Sequence, residues 1–476
     1  MSNRKDLKRQ GKCFAEHIAA LGRGISWQLP VIVAAALASP TATVSQSTAA
    51  ATLLEKTASR PVDYLSIDAA VGAAVQNSPQ VKIADWEHKI ASANYQQTHA
   101  VYLPQVSVGY QAVATNNPLN AFGFLLQQGT VTAQDFAPDH LNHPGATQNF
   151  GASIDTRVPL LNLDMTYARK GARLQQDVLL HRLAYTKSYL TFQTRKAYTQ
   201  LQFAYRLRNI LRSTLDDIKQ IQQSVAHFYE QGLAQRSDLL NAQVQVSAIE
   251  SALAQADSNI ENASQALHLL MGHDSSETQL YVVDSLAQVF GGTAPTTLSS
   301  LRPDLMAMGT AVRASRMMEK STVMALLPKI NAFGSYQLND SKAFGFHKDS
   351  YLAGISLTWN LFSGYQNMGK IRGARLTTSK LQQEMKLLTD ESRLQIDKAT
   401  RELRDRQIEI NKHQSCVAQA DEALRILNNR YHEGLSSTTD CLSAQAQLSQ
   451  QRMALAQAVM AYNITKYHLE LLTSDH

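Results

Sequence analysis

The stretch that decides the fold of this chain is present twice. Residues 229–242 read Tyr-Glu-Gln-Gly-Leu-Ala-Gln-Arg-Ser-Asp-Leu-Leu-Asn-Ala, and residues 431–444 read Tyr-His-Glu-Gly-Leu-Ser-Ser-Thr-Thr-Asp-Cys-Leu-Ser-Ala. The identical positions share one offset: Tyr229, Gly232, Leu233, Asp238, Leu240 and Ala242 recur as Tyr431, Gly434, Leu435, Asp440, Leu442 and Ala444. Because this offset is far longer than a solenoid period, it indicates a duplicated structural half. Each copy predicts the same turn between two long helices.

The duplication extends well beyond the turns. Ser78-Pro79-Gln80-Val81 is matched by Arg302-Pro303-Asp304-Leu305, and Leu103-Pro104-Gln105-Val106 is matched by Leu327-Pro328-Lys329-Ile330. The first half also holds an extra, proline-containing segment, about 114–149, that interrupts the repeat. Insertions of this kind fall on exposed loops.

Helical periodicity dominates both halves. The apolar positions after the first turn are spaced alternately by four and three residues: Ala242, Val246, Ile249, Leu253, Ala256, Ile260, Ala263, Leu267 and Leu270. This heptad seam predicts a neighbouring helix that packs as in a coiled coil. The proline-free segments before the turns, about 164–230 and 366–433, would each reach ~100 Å as helices. Helices of this length cannot bury themselves in one globular core, so we expect hairpins that assemble side by side.

Four short segments change to a period of two. They begin near Gln105, Ile154, Ile330 and Ile355, and each alternates apolar with polar residues. This pattern predicts strands, and about ten residues suffice for a tilted strand to cross a bilayer. A half-buried sheet in a soluble domain is the alternative. Four strands cannot close a barrel or expose their edges to lipid, so a membrane location requires oligomerisation.

The position of the inserted segment follows from these strands. It joins the distal ends of two predicted strands whose other ends lead into helices, so we expect an extracellular loop. Trp359 and Tyr336, in the later predicted strands, are candidate membrane-interface aromatics.

The N-terminus indicates export. A basic beginning is followed by an apolar run, Leu29 to Ala38, which ends in Ala36-Leu37-Ala38. These features are typical of a secretory signal peptide, and the run is too short for a membrane anchor. Residues 1–38 hold six of the 45 basic residues and two of the 39 acidic ones, which leaves a net charge of +2. The basic pI therefore gives no evidence for a nucleic-acid partner.

Cysteines and other chemical motifs are sparse. Cys416 and Cys441 lie about 20 Å apart along the predicted hairpin, so we expect no intrachain disulfide. His140-x-x-His143 beside Asp139 has no further ligand set, so we expect no metal and no cofactor. Without a Walker A, Gly-x-Ser-x-Gly or His-Glu-x-x-His motif, the chain is not predicted to be an enzyme.

Taken in order, the motifs resemble the TolC-like outer-membrane efflux protein family over roughly residues 62–473. The motifs that carry the resemblance are Leu65-Ser66-Ile67-Asp68-Ala69-Ala70, Asn77-Ser78-Pro79, the two Leu-Pro strand starts, Val158-Pro159-Leu160-Leu161, Trp359-Asn360-Leu361-Phe362-Ser363-Gly364 and the two Gly-Leu-x-x-x-x-Asp turns. The resemblance implies a mostly α fold with a membrane β-barrel. Long helical hairpins would form a trimeric α-barrel in the periplasm, and each protomer would give four strands to a shared twelve-stranded barrel.

The resemblance also implies a function and partners. Such proteins are passive exit ducts in outer-membrane lipid, and they export substrates delivered by an inner-membrane pump and a periplasmic adaptor. The duct would serve a tripartite efflux or type I secretion system. A periplasmic coiled-coil adaptor is the alternative, although an adaptor would have one hairpin and Gly-rich β domains.

Applied to the turns, the resemblance assigns Asp238 and Tyr431 to a gate and Asp440 to a ring of acids at the aperture. The alternative is a purely structural role, in which both aspartates only cap the returning helices, where a carboxylate is favoured. The adaptor-docking tip would comprise Gly232, Leu233, Gly434 and Leu435.

The chain departs from the family pattern at two tip positions. Ser436 stands where a gate arginine is expected, and Ser443 stands where a second aperture acid is expected. Arg236 is a candidate substitute for the missing arginine.

The expected domain organisation follows the duplication. The predicted segments are a signal peptide (1–38), a flexible lead (39–61), a first repeat (62–272), an equatorial linker (273–302), a second repeat (303–473) and a tail (474–476).

Overall fold

The computed structural model describes residues 62–274, 279–289 and 297–474. The predicted signal peptide and flexible lead lie outside the described residues. The first half comprises β1 (Val62–Tyr64), α1 (Ile67–Asn77), α2 (Pro79–Gln97), β2 (Gln105–Thr115), α3 (Pro118–Gln128), α4 (Pro138–Asn142), β3 (Thr147–Leu161), α5 (Leu163–Glu230) and α6 (Arg236–Leu270). The second half comprises β4 (Leu280–Val282), α7 (Pro303–Met324), β5 (Lys329–Asp340), β6 (Lys348–Thr358), α8 (Gln366–His432) and α9 (Thr438–Thr473).

Two long hairpins, α5–α6 and α8–α9, form most of the structure. The long helices α5 and α8 begin and end within one residue of the predicted bounds. Every position of the predicted seam from Ala242 to Leu270 is buried or half-buried, and α6 packs on α5, so the heptad prediction is confirmed. None of the helices in the described ranges is long and apolar enough to cross a membrane.

Polar contacts join the two hairpins where α9 packs on α5. The Thr214 hydroxyl donates to the Ser449 hydroxyl over 3.0 Å, and the Gln445 amide donates to the Asp217 carboxylate over 2.8 Å. Nearer the other end of α9, Arg195 pairs with Glu470 at 2.8 Å. The apolar seam therefore operates within the first hairpin, while these hydrogen bonds and this ion pair add polar contacts between the hairpins.

Each half has a joint where a short helix begins beside the end of a returning helix. In the second half, buried Arg302 precedes α7, forms a bidentate pair with Asp304, and donates to the Leu472 carbonyl of α9 over 3.2 Å. In the first half, the buried Ser78 hydroxyl caps α2. There Gly272, with φ of +81°, lies so close to Asn77 that a Cβ would come within 2.5 Å of its carbonyl oxygen.

Four antiparallel strands form one sheet in the order β2-β3-β5-β6. One face is apolar and exposed, and its side chains include Val106, Val108, Ile154, Tyr336, Tyr351 and Ile355. The register places polar residues on the other face, including Gln105, Ser107, Asp155, Arg157, Gln337, Ser350 and Ser356. The four predicted strands are confirmed, and β2 and β6 are the sheet edges.

Three details differ from the sequence prediction. The fourth strand spans Lys348–Thr358, so Trp359 lies beyond it, and its indole donates to the Leu326 carbonyl over 3.0 Å. The inserted segment contains two helices, α3 and α4, that no periodicity in the sequence predicted. The linker contributes β4, which pairs in parallel with β1 across more than 200 residues of sequence.

Candidate functional site at the paired hairpin turns

The two hairpin turns have the same backbone geometry. In the first, the N–H groups of Gly232 and Leu233 donate to carbonyls of the preceding helix over 3.0 and 2.8 Å, and those of Gly434 and Leu435 do so over the same distances in the second. Both glycines have φ of +72°. This left-handed conformation closes the helix C-terminus and strongly favours glycine. The duplicated sequence thus encodes two identical local structures.

The two aspartates occupy equivalent positions in the first turn of the returning helices. The Asp238 carboxylate accepts from the Gln235 N–H over 3.3 Å. The Asp440 carboxylate accepts from the Ser437 N–H over 3.0 Å and from its hydroxyl over 2.7 Å. These bonds hold the pKa of the Asp440 carboxyl below its usual value, so it is ionised at neutral pH. Both aspartates therefore cap their helices.

Tyr431 lies inside the tip. Its side chain is only 8% exposed, its ring meets that of Phe228 edge-on at 5.5 Å, and its hydroxyl accepts from Thr438 over 3.2 Å. Burial is the main cause that raises the pKa of this phenol, and the nearby Asp238 charge adds to the effect. Tyr431 thereby connects the second hairpin to the first.

Residues from both hairpins surround Tyr431. The buried cluster at the tip draws on α5, α6, α8 and α9, and its members are Leu215, Ile218, Ile221, Val225, Ala242, Val246, Tyr431, Cys441 and Leu442. Tyr229, the counterpart of Tyr431 in the first turn, is 40% exposed. The site is therefore asymmetric, although the two turns are locally alike.

The ends of the turns are open. Leu233 and Leu435 are 73% and 67% exposed, which leaves two apolar side chains at the extreme tip. Arg236, the candidate replacement for the gate arginine, is exposed at the start of α6, while Ser436 is half-buried. The arginine at the second turn is instead Arg430, whose guanidinium donates to the Leu435 carbonyl over 3.3 Å and whose charge favours ionised Asp440.

Sequence reasoning missed Arg430, Phe228 and Thr438. Arg430 and Phe228 each stand immediately before a repeated tyrosine, which was a usable local signal. The Phe228–Tyr431 contact joins different hairpins, so no sequence period predicts it.

A groove of about 450 Å³ runs between α8 and α9 beside the second turn. Small and polar side chains predominate in its lining, which consists of Cys416, Gln419, Ala420, Ala423, Leu427, Asp440, Ser443, Ala444, Gln447 and Gln451. Cys416 and Cys441 are both free.

The predicted histidine motif lies elsewhere. His143 approaches Asp139 at 3.5 Å, with both side chains largely exposed, and no group of three metal-ligating residues occurs within the described ranges.

The duplicated hairpins and the four-stranded sheet define a TolC-like channel protein. The sequence pattern of the outer membrane efflux protein family matches residues 70–273 and 295–474, and the chain belongs to this family. No protein with a curated description matches the chain.

Solved structures show the same fold. The outer-membrane channel CmeC of Campylobacter jejuni has 16% sequence identity and a TM-score of 0.73, with 85% of each chain covered. VceC of Vibrio cholerae has 16% identity and a TM-score of 0.72, covering 86% of this chain and 97% of its own. The open state of the Neisseria gonorrhoeae channel MtrE has 15% identity and a TM-score of 0.69, covering 86% and 89%. The chain is thus an efflux channel protein of the outer membrane that extends into the periplasm.

Proposed function

We propose that three copies of this chain form one passive exit duct in the outer membrane. The observation that carries the proposal is the sheet, which has an exposed apolar face, a polar face and two unpaired edges, β2 and β6. Joining β6 of one copy to β2 of the next removes every edge and closes a barrel of twelve strands. The apolar face then meets lipid, and the polar face lines the channel.

The hairpins continue this duct into the periplasm. Exposed apolar side chains on the helices, such as Leu240, Val244, Leu387 and Leu394, supply surface for neighbouring copies. A periplasmic adaptor docks at the tip through Gly232, Leu233, Gly434 and Leu435, and an inner-membrane pump supplies the substrate. The family assignment supports this reading over the alternative of a periplasmic adaptor.

The tip controls the periplasmic opening in this proposal. Tyr431 holds the hairpins together, because its ring is buried between them and contacts Phe228 of the first hairpin. Asp238, in the first turn of the adjoining helix α6, is the second gate residue of the proposal. Asp440 is exposed and ionised, so three copies would place a ring of negative charge at the aperture.

The oligomer is tested by native mass measurement of the detergent-solubilised protein. We expect threefold the mass of the processed chain, with residues 1–38 removed as the signal peptide. A stable, folded monomer would contradict the proposal.

The charge ring is tested by reversal potentials in planar bilayers. Asp440→Ala should reduce cation preference and block by multivalent cations. Glu422→Ala makes the same change of charge on α8, away from the turn, and should behave as wild type. Equal behaviour of both variants would leave Asp440 as a helix cap alone.

A further inference from the structure

The inserted segment places a helix on the polar face of the sheet. Asn149 of β3 and Asn339 of β5 lie on that face at its distal end, and the Asn149 amide donates to the Asn339 side-chain carbonyl over 2.9 Å. Gln128, the last residue of α3, is 1% exposed and donates to the Gln148 backbone carbonyl and the Asn149 side chain over 2.7 and 3.0 Å. A row of buried amides therefore fixes the end of α3 to two strands.

A second contact carries the segment across the sheet. Gly129, directly after α3, packs on the methylene groups of Lys348, the first residue of β6, at about 3.5 Å from where its Cβ would stand. Lys348 pairs with Asn339 and so belongs to the same polar face. The segment thus leaves the edge strand β2 and reaches the opposite edge strand β6.

The helix α3 has a capped N-terminus and packs against the residues that follow it. The Asn117 side chain caps its N-terminus, Pro118 occupies the first position, and Phe122 packs edge-on against Phe136 at 5.5 Å. Ala121 and Gln128 are buried and share one side of α3. At 100° per residue, Leu119 and Leu126 lie on the opposite side, and they are 80% and 56% exposed.

The short link between β5 and β6 lies on the other side of the sheet from the inserted segment. It folds toward the apolar face, where the Phe344 ring stacks on Tyr110 at 4.9 Å and the Phe344 N–H donates to the Tyr110 hydroxyl over 3.1 Å. The two distal links therefore fold to opposite faces, and only the inserted one covers the polar face.

We propose that α3 narrows the distal exit of the channel. This inference rests on the proposed trimer, in which the polar face lines the bore. Three copies of α3 would then extend inward at the outer end, fixed by Gln128, Asn149 and Lys348. Leu119 and Leu126 point away from the sheet and so toward the bore. They form an apolar rim that outgoing solutes must pass, and it discriminates against strongly hydrated ones.

The inference is tested by thiol modification during single-channel recording, in a chain that also carries Tyr431→Phe and Asp238→Ala so that the closed tip does not limit the conductance. Leu126→Cys is introduced together with Cys416→Ser. After removal of residues 1–38, which include Cys13, the remaining native thiol is then that of Cys441, a fully buried residue. A bulky, charged methanethiosulfonate reagent should lower the conductance by about twofold or more, because pore diameter controls conduction. Asn142→Cys on exposed α4 is the matched control and should show no change. Unchanged conductance of modified Leu126→Cys would overturn the inference.

A deletion in the same Tyr431→Phe, Asp238→Ala chain supplies the opposite perturbation. Removing residues 118–144, which joins Asn117 to Gly145, should raise the conductance by about twofold. An unchanged conductance in an assembled deletion trimer would contradict the constriction while leaving the proposed duct intact. If the deletion prevents assembly, the thiol result decides. If the wild-type protein forms no conducting trimer, the proposed duct fails, and the constriction fails with it.

Discussion

The two hairpins share a turn but differ in their surroundings. The glycine conformation, the turn hydrogen bonds and the capping aspartate are the same in both. Yet α9 packs on both α8 and α5, whereas α6 packs mainly on α5. Consequently Tyr431 is buried and Tyr229 is half-exposed. Duplication has kept the local structure, while the packing between hairpins has given the two tyrosines different surroundings.

The helix joints show the same divergence. The first half uses a serine cap and a close glycine contact, while the second uses a buried arginine that connects α7, α8 and α9. The second half therefore depends on a buried charge pair where the first depends on backbone packing. This contrast predicts unequal responses to equivalent substitutions.

The largest difference in stability effect between equivalent substitutions in the two halves is expected at the helix joints. Arg302→Ala should cost about 3–5 kcal/mol, because it leaves the Asp304 carboxylate without its partner in a largely buried site. Ser78→Ala removes one helix cap and should cost about 1 kcal/mol. Thermal unfolding of the detergent-solubilised trimer provides the comparison, with Arg316→Ala on the exposed side of α7 as the control. Equal shifts for Arg302→Ala and Ser78→Ala would refute the contrast.

Substitution of the two repeated tyrosines should also have unequal effects on stability, and this difference should be smaller than the one at the joints. Tyr431→Ala removes a buried ring and should lower the free energy of local opening by about 3 kcal/mol. Tyr229→Ala should change it by about 0.5 kcal/mol, as is usual for exposed positions. Hydrogen exchange of the amides of residues 215–225 and 438–445 reports this opening. Similar exchange in both variants would mean that the burial of Tyr431 contributes little to the tip.

The smallest expected effect is a pH dependence of the second turn. The folded-state pKa of Asp440 is lowered by its bonds to Ser437, so its stabilising effect is present above the unfolded-state pKa and is lost as pH falls through the folded value. The protection of the amides at the start of α9, taken relative to their intrinsic exchange rate at the same pH, should therefore decrease below about pH 4. Asp440→Asn should remove this acid dependence, and its persistence would assign the effect to another group.

Local signals explain which features could be predicted from sequence. The C-terminal ends of α5 and α8 follow from the glycines of the two turns, and the seam of α6 follows from its heptad spacing. The helix α3 is not among the predicted elements, because the prolines of the inserted segment are typical of loops. Asn117-Pro118 and Gly129 are nevertheless the start and stop signals of a helix.

Long-range features had no such signal. The strands β1 and β4 have three residues each and pair across the whole first half, too short for a period to be recognised. The burial of Tyr431 also escaped prediction, because both copies of the turn carry the same tyrosine and only the packing of α9 on α5 distinguishes them. The gate roles of Asp238, Tyr431 and Asp440 stay predictions.

Single-channel conductance in planar bilayers tests most directly whether the tip of the second hairpin is a gate. We compare Tyr431→Phe combined with Asp238→Ala against Tyr229→Phe, which removes the equivalent hydroxyl from the exposed copy. Weakening a hydrogen bond by about 1 kcal/mol in each of three subunits would shift a closed–open equilibrium by an order of magnitude or more. We predict a higher conductance for the double variant and wild-type conductance for Tyr229→Phe. Wild-type conductance in both, or an equal increase in both, would contradict the gate.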